Sequence, residues 1–195
     1  MLKKISMMTL CAASAFAMHT GEININESDL EISAKFDMGQ FNDSIEPDTM
    51  FVGGKFLNVD AKHSSISNAS MDPYFEVNFL MQREVGNAGM TLGMGMKLNY
   101  TKDYSALPLG LEFGYQIPAA DLVPMYLNGS IYYAPSVLSF RDAKDFMEYR
   151  ISYDIEVIDN GRITLGYRSI DTDYDGGIGD FNYNKSWYVG FKIGF

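Results

Sequence analysis

Between Met90 and Tyr100 the chain alternates without a break. Met90, Leu92, Met94, Met96, Leu98 and Tyr100 fall on one face of an extended strand, and Thr91, Gly93, Gly95, Lys97 and Asn99 on the other. Leu109 to Ile117 repeats the pattern, with Gly110, Glu112, Gly114 and Gln116 opposite the apolar row. Met147 to Val157 repeats it again, opposed by Glu148, Arg150, Ser152, Asp154 and Glu156. The chain ends on a fourth row, Trp187, Val189, Phe191, Ile193 and Phe195, backed by Ser186, Tyr188, Gly190, Lys192 and Gly194. A period of two points to strands, and rows of about ten residues have the length of a tilted membrane-crossing strand. Strands of soluble domains are nearer five or six residues.

Weaker rows fill the remainder. They are Phe75 to Met81, Met125 to Tyr133, Ile163 to Tyr167, Leu30 to Phe36, and the short pair Ile23 and Ile25. The stretch Thr49–Val59 is extended but ambiguous in facing; with Lys55 inward, Met50, Val52, Gly54 and Phe56 face out. Connections alternate between compact (Arg83–Gly89, Pro118–Pro124, Ile158–Gly161 with an Asn160-Gly161 hairpin signal) and longer polar ones (Asp60–Met71, Ala134–Lys144, Asp171–Lys185). Short turns at one end and long loops at the other suit an antiparallel up-and-down transmembrane β-barrel. With both termini at the short-turn end the count is ten strands, with eight as the alternative if the N-terminal segments stay unpaired. The segment Met38–Asp48 is long for a short-turn connection, and nothing in the sequence accounts for it.

The N-terminus reads as a secretory signal peptide. Lys3 and Lys4 precede the apolar run Ile5–Ala17, which closes on Ala15-Phe16-Ala17, an A-x-A cleavage pattern. Cleavage after Ala17 leaves residues 18–195 as a single barrel domain without cysteine, since Cys11 lies in the leader. Lipidation of Cys11 is disfavoured by the bulky Leu10 before it. Disulfides, thiol catalysis and zinc–thiolate sites are therefore not expected. The net charge of −10 disfavours nucleic acid, whose phosphates need basic patches.

Two resemblances bear on this reading. Gly190, Ile193 and the terminal Phe195 resemble the C-terminal assembly signal of bacterial outer-membrane barrels. That implies the outer membrane as location and the barrel-assembly machinery and outer-membrane lipid as partners; separately, a monomer is expected. Tyr132-Tyr133-Ala134-Pro135-Ser136, Gly166-Tyr167-Arg168 and Tyr188-Val189-Gly190-Phe191 closing on Phe195 resemble the YfaZ family of outer-membrane proteins. The likeness spans roughly Met90 to Phe195, implies a porin-like Gram-negative barrel, and carries no catalytic residues to transfer.

Little chemistry stands out. His63 is followed by Ser64 and Ser65 in a polar loop, and adjacency alone does not align a base with a nucleophile; no catalytic residue is assigned. The inward rows carry Lys35, Lys55, Lys97, Arg150, Arg168 and Lys192 against Glu31, Asp37, Glu76, Glu112, Glu148, Asp154 and Glu156. That near balance in a narrow barrel favours a salt-bridged plug over a selective pore, which uses rings of one sign. Asp171-Thr172-Asp173-Tyr174-Asp175-Gly176-Gly177 matches the start of an EF-hand calcium loop, so Asp171, Asp173, Asp175 and the Gly177 carbonyl are candidate Ca²⁺ ligands. Asn182 stands where the bidentate Glu belongs, so the expected site is weak; no other cofactor is expected.

The function expected is that of an outer-membrane barrel with a structural, adhesive or minor transport role. Alternatives are a narrow small-solute channel, an outer-membrane hydrolase or acyltransferase, and a secreted β-sandwich binding module. Removing Phe195 should leave export intact but reduce insertion, read as loss of the heat-modifiable gel band from the outer-membrane fraction. Unchanged insertion of the truncated chain would count against the terminal-strand signal.

Overall fold

The computed structural model describes residues 19–59, 73–86, 89–102, 104–118, 123–141, 143–174 and 180–195. The signal segment, His63 and Ser64, and Asp175 and Gly177 lie outside them. Among the described residues there are twelve strands and no α-helix: β1 (Thr20–Ile25), β2 (Asp29–Asp37), β3 (Met50–Val59), β4 (Tyr74–Val85), β5 (Met90–Tyr100), β6 (Tyr104–Ala106), β7 (Leu109–Ile117), β8 (Met125–Ala134), β9 (Ser139–Arg141), β10 (Ala143–Ile158), β11 (Gly161–Tyr174) and β12 (Asp180–Gly194).

Ten of them close into an antiparallel barrel in the order β1-β2-β3-β4-β5-β7-β8-β10-β11-β12 and back to β1. The closing seam runs from Thr20 opposite Gly194 to Ile25 opposite Val189. Because β1 pairs with both β2 and β12, the eight-strand alternative is set aside. The facing of β3 is also decided: Lys55 is buried and Val52 exposed.

Three features depart from the sequence reading. β6 and β9 form a small ribbon, Tyr104 opposite Arg141, hung from the end of β5; strands of three residues are too short to show periodicity. β10, β11 and β12 run 16, 14 and 15 residues, so they extend well past their apolar rows. Finally, the turn after β10 is Asp159-Asn160, with Asn160 at φ 60° and Gly161 already in β11. Asn tolerates that left-handed position better than most side chains.

The outer wall is apolar along its length: Leu92, Met94, Leu98, Ile151, Leu165 and Val189 are all exposed. Such a surface is costly in water and suits hydrocarbon. Toward the end opposite the termini an aromatic band crosses neighbouring strands. Trp187 meets Tyr167 at 5.2 Å, Tyr167 meets Tyr149 at 6.0 Å, and Phe56 meets Phe75 at 5.1 Å. Aromatic rings at one level are the usual girdle of a bilayer-spanning barrel.

On the inner wall, glycines make room for large side chains laid flat against the next strand. A Cβ added at Gly95 or Gly110 would overlap Tyr132, and one at Gly166 would overlap Tyr188. These rings thereby leave the centre of the bore to charged groups.

The long connection 38–49 also has a physical account. A 3₁₀ turn, Met38–Gln40, is capped by Asp37, whose carboxylate accepts from Gly39 N at 3.0 Å and Asp48 N at 2.9 Å. Asp37, expected among the bore charges, is thus spent organising the turn. Burial, reinforced by that neighbouring carboxylate, raises the Asp48 pKa. The turn packs on the termini: the His19 ring stacks on Phe41 at 5.2 Å and meets Phe36 and Phe195 at 5.5 and 5.8 Å. Two backbone bonds, His19 N to Phe195 O and Phe195 N to His19 O, extend the seam one step further.

Replacing Met94, exposed on the outer wall, with Arg should cost about 2–4 kcal/mol if the site lies near the bilayer midplane. Urea unfolding in lipid vesicles measures it, with Met94→Leu as the near-neutral control. Equal stability of the Arg and Leu variants would mean that this face does not meet hydrocarbon.

Candidate functional site in the barrel lumen

The bore is organised in three layers. Nearest the termini lies a polar cavity of about 220 Å³, lined in part by Ser33, Lys35, Asn78, Ser130, Ser152 and Lys192. Here Lys35 pairs with Glu112 at 2.9 Å, and Glu112 also accepts from the Tyr132 hydroxyl at 2.7 Å. Lys192 pairs with Asp154 at 2.8 Å and with Glu22 at 3.6 Å. Asn128 adds a hydrogen bond to Asp154 at 3.0 Å.

The middle layer is a belt of two ion-pair clusters. In the first, Glu148 on β10 accepts Lys55 of β3 and Lys97 of β5, both at 2.8 Å. Glu76 on β4 sits between the same two lysines, at 2.6 Å from Lys55 and 3.4 Å from Lys97. Lys97 also lies over the Tyr132 ring, 3.9 Å from its centroid. In the second, Glu31 on β2 receives Arg150 end-on, through both terminal guanidinium nitrogens at 2.7 and 2.6 Å, and Arg168 of β11 at 2.6 Å. Arg168 continues to Asn184 at 2.8 Å and to Asp29 at 3.3 Å, and Asn184 donates to Asp29 at 2.7 Å. The Tyr188 ring lies beside both guanidiniums, 5.4 and 5.5 Å away. Each cluster sets two cations against two carboxylates, so each is neutral as a unit. Removing one buried partner would leave a bare charge, which costs more than the intact pair contributes.

The third layer, at the end away from the termini, is apolar. Leu57, Val59, Tyr74, Tyr104, Ala106, Ala134, Phe146, Ile170 and Tyr183 form one buried cluster inside the wall. Tyr104, carried by the β6–β9 ribbon, reaches Phe146 at 6.0 Å and the Tyr183 ring of β12 at 6.5 Å. Tyr183 in turn meets Tyr74 of β4 at 5.7 Å. Aromatic rings from several strands thus meet across the bore.

The structure brings Lys97, Glu148, Arg150 and Arg168 into the belt, and Glu112, Asp154 and Lys192 around the cavity below it. Gly190 and Ile193 lie on β12 along the seam, opposite Asn24 and Gly21, while Phe195 packs on His19. Of the candidate calcium ligands, Asp171 and Asp173 are not in a loop; they sit on β11, opposite Asn182 and Asp180. Asp171 accepts from the Ser169 hydroxyl at 2.7 Å. Among the described residues no group of three His, Cys, Asp or Glu side chains is placed to hold a metal ion.

Sequence reasoning missed Asp29, Asn184, Tyr132 and Tyr188 as members of the polar network, and the apolar layer altogether. The signal for that layer was present. Leu57, Phe146 and Ile170 keep the inward parity of Lys55, Glu148 and Arg168 but are apolar.

Glu31→Gln would leave Arg150 and Arg168 without their shared carboxylate and should cost about 3–5 kcal/mol. Lys35→Gln, at a half-solvated pair, should cost about 0–1 kcal/mol. Urea midpoints of the two variants should separate clearly; matching midpoints would show that the belt does not bear on stability.

Residues 2–195 match the family model described as YfaZ precursor. No curated protein matches the chain. Among solved structures it is similar to one described as a KdgM porin, at 9% identity and TM-score 0.46, covering 91% of this chain and 98% of that one.

Proposed function

The chain belongs to the YfaZ family, and from that premise we propose that it is an integral outer-membrane barrel, closed to steady solute flow, with a structural or adhesive role at the cell surface. The termini end is periplasmic in this reading, and the apolar layer faces outward beneath the β6–β9 ribbon. Its partners are outer-membrane lipid and the barrel-assembly machinery, it is a monomer, and it is not an enzyme.

The observation that carries the reading is the contact of Tyr104 with Tyr183 across the bore, above a belt whose charges cancel. A permeating ion would have to cross an apolar constriction and then displace buried pairs that already satisfy one another. Selective pores instead keep unpaired rings of one sign. A second reading, a narrow small-solute channel, is favoured by the polar cavity at the termini end, which would serve as a vestibule.

Purified protein in planar bilayers should show no steady conductance under conditions in which a known porin conducts. Stable, ion-selective steps from the wild-type protein would overturn the sealed reading in favour of the channel.

A further inference from the structure

The barrel wall is not equally tall all round. β12 pairs with β1 only as far as Val189 opposite Ile25, yet it continues beside β11 up to Asp180. On the other flank β2 begins at Asp29, opposite Val59 of β3. Between these flanks the β1–β2 turn, residues 26–28, ends the wall early. There the wall carries a recess of about 440 Å³, a size common among small-molecule sites. Val59 and Tyr183, members of the apolar layer, line it on the inner side. It shares no lining residue with the polar cavity at the termini end. The exposed edge of β12 here is a poor template for another strand. The Trp187 carbonyl accepts from the Asn26 side chain at 3.1 Å, and the register to β11 shifts between Asn184 and Asn182.

The floor of the recess is polar, and one acceptor in it is unused. The Asp29 residue is 7% exposed. Its Oδ2 accepts from Asn26 Nδ2 and Asn184 Nδ2 at 2.7 Å each, from Ser186 Oγ at 2.8 Å and from Arg168 Nη2 at 3.3 Å. Its Oδ1 accepts from none of the described residues. A carboxylate oxygen this deeply set calls for a donor, so the recess presents a fixed acceptor to what enters it.

The site carries no net charge. Asp29 and Glu31 balance Arg150 and Arg168, and at the rim Glu27 stands against Lys185. An ion of either sign would give up its hydration there without gaining a counter-charge. A neutral hydroxyl meets no such penalty. Opposite the polar floor the lining is aromatic, Tyr183 and Trp187. A ring with hydroxyls on its edge and C–H groups on its face matches both sides: a hydroxyl donates to Asp29 Oδ1, and the C–H face lies toward the aromatic side.

We propose that the recess above the β1–β2 turn is a saccharide-binding site that takes one neutral sugar unit. Its place at the cell surface rests on the orientation proposed above; the binding itself does not depend on whether the bore conducts. Two sources share this chemistry, the headgroup of a glycolipid in the surrounding leaflet and a free saccharide.

Trp187 is the only tryptophan of the chain, so its emission reads the site directly. Full-length barrel, shown to be folded by heat-modifiable migration, is titrated with maltose, cellobiose and lactose in the sugar-free detergent lauryldimethylamine oxide. In parallel it is placed in nanodiscs of phosphatidylglycerol with or without rough lipopolysaccharide. The expected result is a saturable change in Trp187 emission, with weaker quenching by acrylamide. A response to a disaccharide assigns the free saccharide, and a response to lipopolysaccharide alone assigns the glycolipid. Asp29→Asn alters the open acceptor, and Ser28→Tyr fills the recess from the turn without touching the bonds of Asp29. Each should raise the half-saturating concentration on the order of tenfold. Silence of the wild type toward all four sugar probes would overturn the proposal and leave a recess that holds water only. An unchanged response in the folded Ser28→Tyr variant would also overturn it, as would an equal response to phosphatidylglycerol without lipopolysaccharide. Conductance of the wild type in planar bilayers would remove the sealed reading and leave this site standing.

Discussion

The six-residue seam between β1 and β12 closes the barrel, and the rest of the architecture depends on that closure. In hydrocarbon an unpaired backbone N–H or C=O has no water to turn to, so an open sheet edge is not tolerated. Closing the ring of ten strands removes the edges through the apolar band. Thr20 to Ile25 is the shortest strand of the ring, yet it completes the circle. The His19–Phe195 backbone pair and the stacking of His19 on Phe41 reinforce the seam from the termini end. The ordered 38–49 turn is therefore part of the closure, which explains why it is longer than a simple connection requires.

Closure creates the second problem, a narrow interior that has to be filled. The inward parity of every strand supplies the material, and its chemistry changes with height. Glycines and small polar side chains leave a cavity near the termini. Charged groups from β2, β3, β4, β5, β10 and β11 neutralise one another in the middle, and aromatic and aliphatic groups meet at the far end. The arrangement of Tyr132 over Gly95 and of Tyr188 over Gly166 shows how size is balanced between neighbouring strands. Tyr132 and Tyr188 can lie against the wall because the neighbouring strand lacks a Cβ there. The charged belt is then free to span the bore, and its pairs link strands far apart in sequence, such as Glu31 with Arg168.

Much of the fold was legible in the chain itself. The positions of most of the barrel strands follow from period-two alternation, because one face meets apolar surroundings and the other does not, while the short first strand follows from the need for an even count with both termini at one end. The facing of Thr49–Val59 stayed open in the chain and was settled by the structure, which buries Lys55 and exposes Val52, since an ammonium on the outer wall of an apolar band would be too costly. What periodicity could not reach were elements shorter than the pattern needs to repeat, the β6–β9 ribbon above all. Nor could it see where an apolar residue on the inward parity replaces a polar one, as at Phe146 and Ile170, because such positions look like breaks in the pattern. The acidic run from Asp171 reads as a loop by composition, yet the first part of it continues β11, where hydrogen bonding to β12 outweighs the weak strand propensity of Asp.

Most of the charges in the bore were set by the sequence, since parity places Glu31, Lys55, Lys97, Glu148, Arg150 and Arg168 on the inner face once the strands are placed, although it passed over Asp29 and counted Asp37. Which charge meets which was decided only by the tertiary structure. Strand tilt and register carry Glu148 to Lys55 and Lys97, bring Arg150 and Arg168 together on Glu31, and leave Asp37 to cap a turn. Alternation is a local property, written every two residues. Pairing across a lumen depends on how ten strands close around it, and no window of the chain contains that information.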